Sequence, residues 1–272
     1  MGTKNMKFHR IAPTERHMFQ EGIVSIETIA KYPLGKDFFQ INHGLDYFAF
    51  FDRLGKVNYY VMHDNYIVGA VGAGILRQIP YQQDSAPMSA WYLCDLKVHP
   101  NYQRRNLSLR ILSHAVVDGI RECSCGYTIS MNPGDGSPNR WVKVIEKYSK
   151  IKFTTSTQLG IYSLDAATMS DIAPLIIKHR GDISYISLKG IKDLRLQSTG
   201  NILPLVHVQW GANVEKGTPE VIPGYTHMFC VPTNDELARA LGRFNIYPGA
   251  SASVVSHGMN NSDWRFILTS DI

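Results

Sequence analysis

The sequence predicts a mixed α/β (α+β) fold in which helices pack on a central mixed sheet. Strand-like and helix-like patterns alternate along residues 6–165 in the order β, α, α, β, β, β, α, β, α, β. A strand, a tight turn and a helix follow one another at residues 91–112, in the middle of that order. With 272 residues, 44% hydrophobic and 19% charged, the chain has the composition of a globular protein and enough length to bury a core.

The first predicted elements lead up to a hairpin. A short strand at 7–11 precedes a helix over 14–30, and an aromatic-rich region at 38–54 reads as a second helical region. Because clustered aromatic side chains are usually buried, we expect them to form core. Residues 57–63 and 66–79 then form a hairpin, whose glycines at 69, 72 and 74 indicate close packing of a neighbour on the sheet.

The remaining predicted elements of residues 6–165 begin with the central strand. The central strand covers 91–98, and apolar residues recur at helical spacing from about Leu107. After these we predict a strand at 126–131, a loop dense in Gly and Pro, a helix at 139–149 and a strand at 153–164.

The turn between the central strand and its helix has the features of an anion-binding site. Two arginines and small polar residues occupy the segment Gln103, Arg104, Arg105, Asn106, Leu107 and Ser108. Free backbone N–H groups and positive charge at a helix N-terminus favour phosphate or pyrophosphate. A solvated surface pair is the alternative interpretation of the two arginines.

At these residues the chain resembles the GNAT (GCN5-related N-acetyltransferase) family. The family's acetyl-CoA loop follows a Val-x-Pro turn and reads Gln or Arg, two residues, Gly, one residue, then Gly or Ala. Here Val98-His99-Pro100 precedes Gln103, and Asn106 and Ser108 occupy the two small-residue positions. Asn tolerates the left-handed backbone better than most residues do, which suits it to a glycine position. The resemblance covers residues 6–165.

A second family signature is partly present. The family commonly shows Asn followed, after five residues, by Tyr-Glu on its fourth helix. Asn139 is followed here by Ile145-Glu146, so isoleucine replaces the tyrosine that donates a proton to the leaving thiolate. Tyr148, three residues further along the helix, could substitute as the catalytic acid; a packed, hydrogen-bonded tyrosine is the alternative.

The resemblance implies direct acyl transfer from acetyl-CoA to an amine in a ternary complex. It also implies cofactor binding by backbone N–H groups of the central strand, by the loop and by the helix that follows it. The implied cofactor-binding residues are Leu96, Lys97, Val98, Gln103, Arg104, Arg105, Asn106, Leu107, Ser108 and Asn139. Homodimers are common in the family, and a homodimer is one of the arrangements left open.

Asp95 is the predicted catalytic residue for handling the amine. It interrupts an apolar strand, where a carboxylate needs a partner, and similar family members use an acidic residue nearby to attract the amine. The alternative is a structural ion pair with Lys97 or a loop arginine. His99, at the turn beside Pro100, is expected to be a solvated loop histidine.

Residues 166–272 are predicted to form a small α+β accessory domain of unknown role, after a GNAT-like domain at 1–165. Residues 171–192 are expected to connect the two. The predicted elements are strands at 202–210, 226–231, 251–256 and 264–269, and a helix at 233–244.

Composition and cysteine spacing limit the classes of partner and the metals that we expect this chain to bind. A formal charge of +5 without a lysine-arginine run gives no reason to expect nucleic acid, and the four cysteines lack metal-binding spacing, so no metal is expected. Neither a secretion signal nor an 18-residue apolar run is present, which predicts a cytoplasmic protein without a membrane partner. The function predicted is acetyl-CoA-dependent N-acetylation of an unidentified amine; the alternative is a catalytically silent acyl-CoA- or partner-binding module.

Overall fold

The computed structural model describes residues 6–80, 86–211, 214–215, 217–259 and 262–272. Within these residues the strands are β1 Lys7–Ile11, β2 Tyr32–Leu34, β3 Asp37–Asn42, β4 Lys56–Asp64, β5 Ile67–Ile79, β6 Met88–Val98, β7 Gly126–Met131, β8 Thr154–Leu164, β9 Ile183–Ile186, β10 Asp193–Leu196, β11 Leu205–Trp210, β12 Thr226–Pro232 and β13 Ala250–His257. The helices are α1 Arg16–Glu27, α2 Ala49–Asp52, α3 Leu107–Gly119, α4 Arg140–Glu146, α5 Ala166–Arg180 and α6 Glu236–Arg243. No helix among these residues is long and apolar enough to cross a membrane.

Most strands belong to one large mixed sheet, in the order β1-β4-β5-β6-β7-β13-β8-β12-β11-β9. Its pairs are antiparallel except β6 with β7 and β11 with β12. A separate small sheet has the order β10-β3-β2. The mixed α/β prediction is therefore confirmed.

Side chains of alternate residues pack on opposite faces of the large sheet, as the pleat of a strand requires. On β4, Tyr59 and Val61 lie in the core that contains α1, α2 and the small sheet. Tyr60 and Met62 lie in the cluster formed with α3. The glycines of β5 make room for this second layer, because a Cβ atom at Gly72 would come within 3.0 Å of the Leu96 side chain.

The aromatic-rich region at 38–54 is not helical as predicted, apart from the short α2. Its first part is β3, which pairs with β2 and with β10. Adjacent aromatic residues fit either period, and β10 comes from a distant part of the chain. As predicted, most of the aromatic side chains are buried, although Phe38 is 47% exposed.

Two predictions in the C-terminal part are wrong. The predicted strand at 264–269 begins as a single 3-10 turn at Trp264–Phe266, where the Asp263 carboxylate accepts a hydrogen bond from the Arg265 backbone N–H. An Asx turn of this kind competes with strand pairing. The predicted connection at 171–192 contains α5 from its second turn onward, and β9.

The large sheet continues across residue 165. β13 pairs with both β7 and β8, so the C-terminal part supplies a strand to the middle of the sheet. The division into domains at 1–165 and 166–272 stays a prediction.

Candidate functional site

The parallel strands β6 and β7 separate partway along their length. They are in register only from Trp91 to Leu93, opposite Gly126 to Thr128. On the other side of β6, a bulge interrupts the pairing with β5 at Asp95, whose φ is +53°. Bulges bend a strand and re-aim its side chains. The remainder of β6 therefore turns away from β7 and leaves a gap.

A cavity of about 250 Å³ lies behind this gap, between the large and small sheets. Its walls include Cys94–Lys97 of β6 and 128–131 of β7. The small sheet and α2 form the opposite wall through mainly apolar side chains, including Tyr32, Leu34, Phe39, Ile41, Phe50, Phe51 and Leu194. An apolar space with a few polar groups at fixed positions is typical of a small-molecule site.

A buried network of ion pairs around Lys97 supplies polar groups to the cavity wall. The Lys97 ammonium lies 2.5 Å from an Asp95 carboxylate oxygen and 3.4 Å from a Glu27 carboxylate oxygen. Tyr47 donates its hydroxyl hydrogen to Asp95, and Glu27 is paired with Nδ1 of His43. Asp95, Lys97 and His43 all line the cavity.

The charges in this network stabilise one another. Burial opposes protonation of Lys97, but the Asp95 charge, with Tyr32 and Glu27, outweighs burial and raises the pKa of the ammonium. Burial likewise opposes ionisation of Glu27, yet His43 and Lys97 lower the pKa of its carboxyl group. Because an ionised Glu27 only accepts hydrogen bonds, Nδ1 of His43 is the donor.

The predicted loop is exposed and carries the backbone geometry that its sequence indicates. Gln103, Arg104, Arg105 and Asn106 are all exposed. Asn106 is the N-cap of α3 in the left-handed region, with φ at +56°, and its side chain makes no capping hydrogen bond to the described residues. The first N–H groups of α3, including those of Leu107 and Ser108, therefore lack a side-chain cap.

The other predicted site residues are distributed as follows. Leu96 and Lys97 line the cavity, whereas Val98 lies beyond it, opposite Ala70 of β5. Asn139 caps α4 and donates a hydrogen bond to the Met131 carbonyl at 3.1 Å, which ties α4 to the diverging end of β7.

Tyr148 lies outside the cavity lining. It donates a hydrogen bond to Ser113 of α3 at 3.1 Å and packs against Phe153. Ile145, at the family's tyrosine position, is fully buried in the same cluster. His99 accepts a hydrogen bond from the Asn101 backbone N–H at the turn after β6.

The sequence interpretation missed Glu27, His43 and Tyr47. Glu27 carried a usable signal, because it follows Ile23 and Ile26 on the buried face of α1, where a carboxylate needs a partner. His43 and Tyr47 follow β3, which was predicted to be helical.

The sequence interpretation also missed the contribution of the C-terminal part to the same cavity. Lys192, His207, Thr269 and Asp271 line its other end. Asp271 is paired there with Arg77 of β5 at 2.7 Å.

Comparisons with known proteins identify the fold. No family model matches the sequence. An uncharacterised protein, L340, of Acanthamoeba polyphaga mimivirus is 24% identical over 233 residues, covering 84% of this chain and 68% of that protein. The structure is similar to a tandem GNAT protein from the clavulanic acid biosynthesis pathway, with a TM-score of 0.53 and 9% identity over 95% of this chain and 100% of that one.

A GCN5-related N-acetyltransferase from Anabaena variabilis is similar in the same way. Its TM-score is 0.51 with 6% identity, over 94% of this chain and 73% of that chain. Both solved structures extend over the N- and C-terminal parts of the chain.

Proposed function

The chain has the fold of the GNAT N-acetyltransferases, and from it we propose that the protein is an acyl-CoA-dependent N-acyltransferase with acetyl-CoA as donor. The observation that carries this proposal is the gap between β6 and β7, which opens into a cavity and adjoins an exposed, positively charged loop at the start of α3. The acceptor is an amine that binds in the cavity.

The loop residues fit the diphosphate of CoA. The uncapped N–H groups at the start of α3 offer hydrogen-bond donors, and Arg104 and Arg105 add positive charge. The Arg105 guanidinium lies over the Tyr102 ring, 5.3 Å from its centroid, and this contact holds the side chain close to the loop backbone. CoA bound there supplies an activated acyl group as a thioester.

The β6 strand supplies hydrogen-bond donors for the acyl group. Leu96 lies in the bulge, outside the register with β5, and is one of the residues that line the cavity. We assign to its backbone N–H the polarisation of the thioester carbonyl.

The buried ion-pair network supplies the groups that handle the amine. Asp95 attracts the ammonium, and His43 accepts its proton at Nε2 because Glu27 holds Nδ1. The amine nitrogen then bonds to the acyl carbon while the carbon–sulfur bond breaks, and the thiolate gains a proton. With both substrates in one site, the transfer needs no covalent enzyme intermediate.

A catalytically silent binding module is the second candidate, favoured by the region around α4. The family's proton donor is replaced by the buried Ile145, and Tyr148 is directed to Ser113 instead of the cavity. The active enzyme would then rely on water to protonate the thiolate.

Two measurements on the full chain test the proposal. Acetyl-CoA should raise the melting temperature, because a ligand that binds only the folded state stabilises it. Release of CoA thiol in the presence of an amine panel should exceed its release without amine. Binding without release would identify the silent module, and no thermal shift with any CoA ester would reject both candidates. A cytoplasmic location and the absence of nucleic-acid partners stay predictions.

A further inference from the structure

We propose that Lys192 and His207 form an anion-binding subsite at the far end of the cavity, so that the acceptor is an amine that also carries a carboxylate. This inference rests on the proposed function and specifies its acceptor class. Both residues come from the C-terminal part of the chain, which gives that part a role in substrate selection.

Lys192 is a buried lysine whose amine forms no salt bridge with any described residue. Its side chain is 6% exposed, and Nζ donates a hydrogen bond to the Thr269 carbonyl at 3.0 Å. Among the described residues it takes part in no salt bridge, and the nearby Asp271 is already paired with Arg77 at 2.7 Å. An unpaired buried charge is costly, so this amine holds its proton weakly until an anion lies beside it, when its three donors can be used. A ligand carboxylate would supply the missing partner.

His207 adds a hydrogen-bond acceptor beside this ammonium. The Thr269 hydroxyl donates its hydrogen to the Met228 carbonyl at 2.9 Å, so Nδ1 of His207, at 3.0 Å, must donate to the hydroxyl oxygen. Nε2 therefore carries a lone pair, and it is buried without a partner among the described residues. Burial and the charges of Lys192 and Arg53 hold the pKa of this imidazole well below its usual value. An O–H or N–H group next to the carboxylate would satisfy it.

The two ends of the cavity differ in the charge that is left over after pairing. At one end Asp95 lines the cavity with Lys97, which is also paired with Glu27 behind the wall. At the other end Lys192 and Asp271 line it, and Asp271 is paired with Arg77. The Phe50 ring joins the two ends, because its centroid lies 5.0 Å from the His43 ring centroid and 5.0 Å from Nζ of Lys192. A ligand that fits this arrangement has an ammonium at the Asp95 end, an apolar body beside Phe50 and a carboxylate at the Lys192 end.

The size of the cavity limits the acceptor to a small molecule. Sites for drug-sized ligands usually occupy about 300–1,000 Å³. The cavity here, at about 250 Å³, lies just below that range. We therefore expect the acceptor to be a small amino acid whose amine and carboxylate are joined by an aliphatic or aromatic group.

The test compares acids with their uncharged carboxamides as acceptors of the full chain. Suitable probes are γ-aminobutyrate, para-aminomethylbenzoate and their carboxamides, with CoA thiol release as the readout. One charge-assisted hydrogen bond predicts about a tenfold or larger kcat/KM advantage for the acid. Lys192→Met should reduce the acid-to-amide ratio to near one, whereas Lys178→Met, on the exposed side of α5, should keep it.

Equal rates for acid and amide in the natural protein would overturn the inference, as would a preference that survives in Lys192→Met. If that variant does not fold, Lys192→Gln takes its place, and the ratio in the natural protein is decisive by itself. His207→Phe should weaken binding of acids with a neighbouring hydroxyl more than of those without one.

Calorimetry in the presence of CoA separates this inference from the proposed function. If no amine releases thiol, the enzymatic proposal fails. The subsite is then supported if the acid still binds about tenfold more tightly than the amide and loses that advantage in Lys192→Met. Equally weak binding of acid and amide rejects it.

Discussion

At the scale of single residues, the environment of Asp95 decides what it can do. The bulge at Asp95 turns its carboxylate to the side chain of Lys97, and the two side chains are only 7% and 9% exposed. The ion pair with Lys97 that the sequence left open is present, and it keeps a carboxylate in an otherwise apolar wall. Its neighbour Cys94 is half-buried, and loss of solvent around the sulfur, with the Asp95 charge, raises the pKa of the thiol and makes a thiolate nucleophile unfavourable.

Replacing Asp95→Asn should slow turnover more than it weakens CoA binding. The amide keeps the shape of the side chain but loses the charge that attracts the ammonium. We expect kcat/KM for the amine to fall by about tenfold or more, because a charge-assisted interaction with the ammonium is lost. Steady-state kinetics and CoA titration give the two quantities.

Asp171→Asn is the matched control, because Asp171 is exposed on α5. It should leave both quantities within error of the natural protein. An unchanged rate in Asp95→Asn across the pH range would remove Asp95 from the mechanism.

At the scale of elements, the unit formed by β6, the loop and α3 could be predicted because its signals are local. The apolar run, the proline and the small polar residues lie within about twenty positions of one another. The left-handed backbone at Asn106 agrees with the family position that it occupies. The strand β3 could not be predicted in this way, since its partner β10 lies more than 150 positions away along the chain.

The double substitution Arg104→Ala, Arg105→Ala should weaken CoA binding while preserving the fold. Both side chains are exposed, so their loss leaves no buried group unpaired. Two lost charges near a diphosphate predict about a tenfold or larger rise in the Kd of CoA, less at high salt. Calorimetric titration at two ionic strengths measures both effects.

Arg121→Ala combined with Arg243→Ala removes the same charge from exposed positions elsewhere. This control should bind CoA as the natural protein does. If the loop variant does so too, the diphosphate binds somewhere else.

Substitutions at Asn106 should separate backbone strain from side-chain chemistry. With φ at +56°, the position suits glycine and disfavours a β-branched residue. Asn106→Gly should change the free energy of unfolding by less than about 0.5 kcal/mol, whereas Asn106→Val should lower it by about 1–2 kcal/mol. Urea denaturation distinguishes the two, and equal losses would argue against a left-handed conformation in solution.

At the scale of the whole molecule, one cavity is built from both parts of the chain. Residues of β6 and β7 form one wall, and β10, β11 and residues 269–272 complete it. The sequence indicated the first wall through its resemblance to a known family. It could not indicate the second, because Lys192 and His207 become neighbours only through long-range strand pairing. A lysine in a polar stretch, such as Lys192, is predicted from sequence to be exposed, but in the structure it is buried.

Burial of Lys192 should make the stability of the protein depend on pH. Burial, together with the charge of Arg53 and against the opposing effect of Asp271, lowers the pKa of the ammonium from 10.5 to about 7. Between these values the unfolded chain binds a proton that the folded chain does not, so the free energy of unfolding should rise with pH through this window. The rise attributable to this lysine is on the order of 5 kcal/mol.

Denaturant titrations at a series of pH values, on the natural protein and on Lys192→Met, isolate this contribution. Cys230 and His207 titrate in both proteins, and their pKa values depend in part on the Lys192 charge, so the difference between the two curves reports Lys192 together with its coupling to them. We expect that difference to change most between pH 7 and 10.5. A difference that does not vary with pH would mean that Lys192 keeps its ordinary pKa in the folded protein, as it would if its ammonium reached water. The same titration with a carboxylate acceptor and CoA present should move the lower edge of the window upward, since an anion beside the ammonium favours its protonated form.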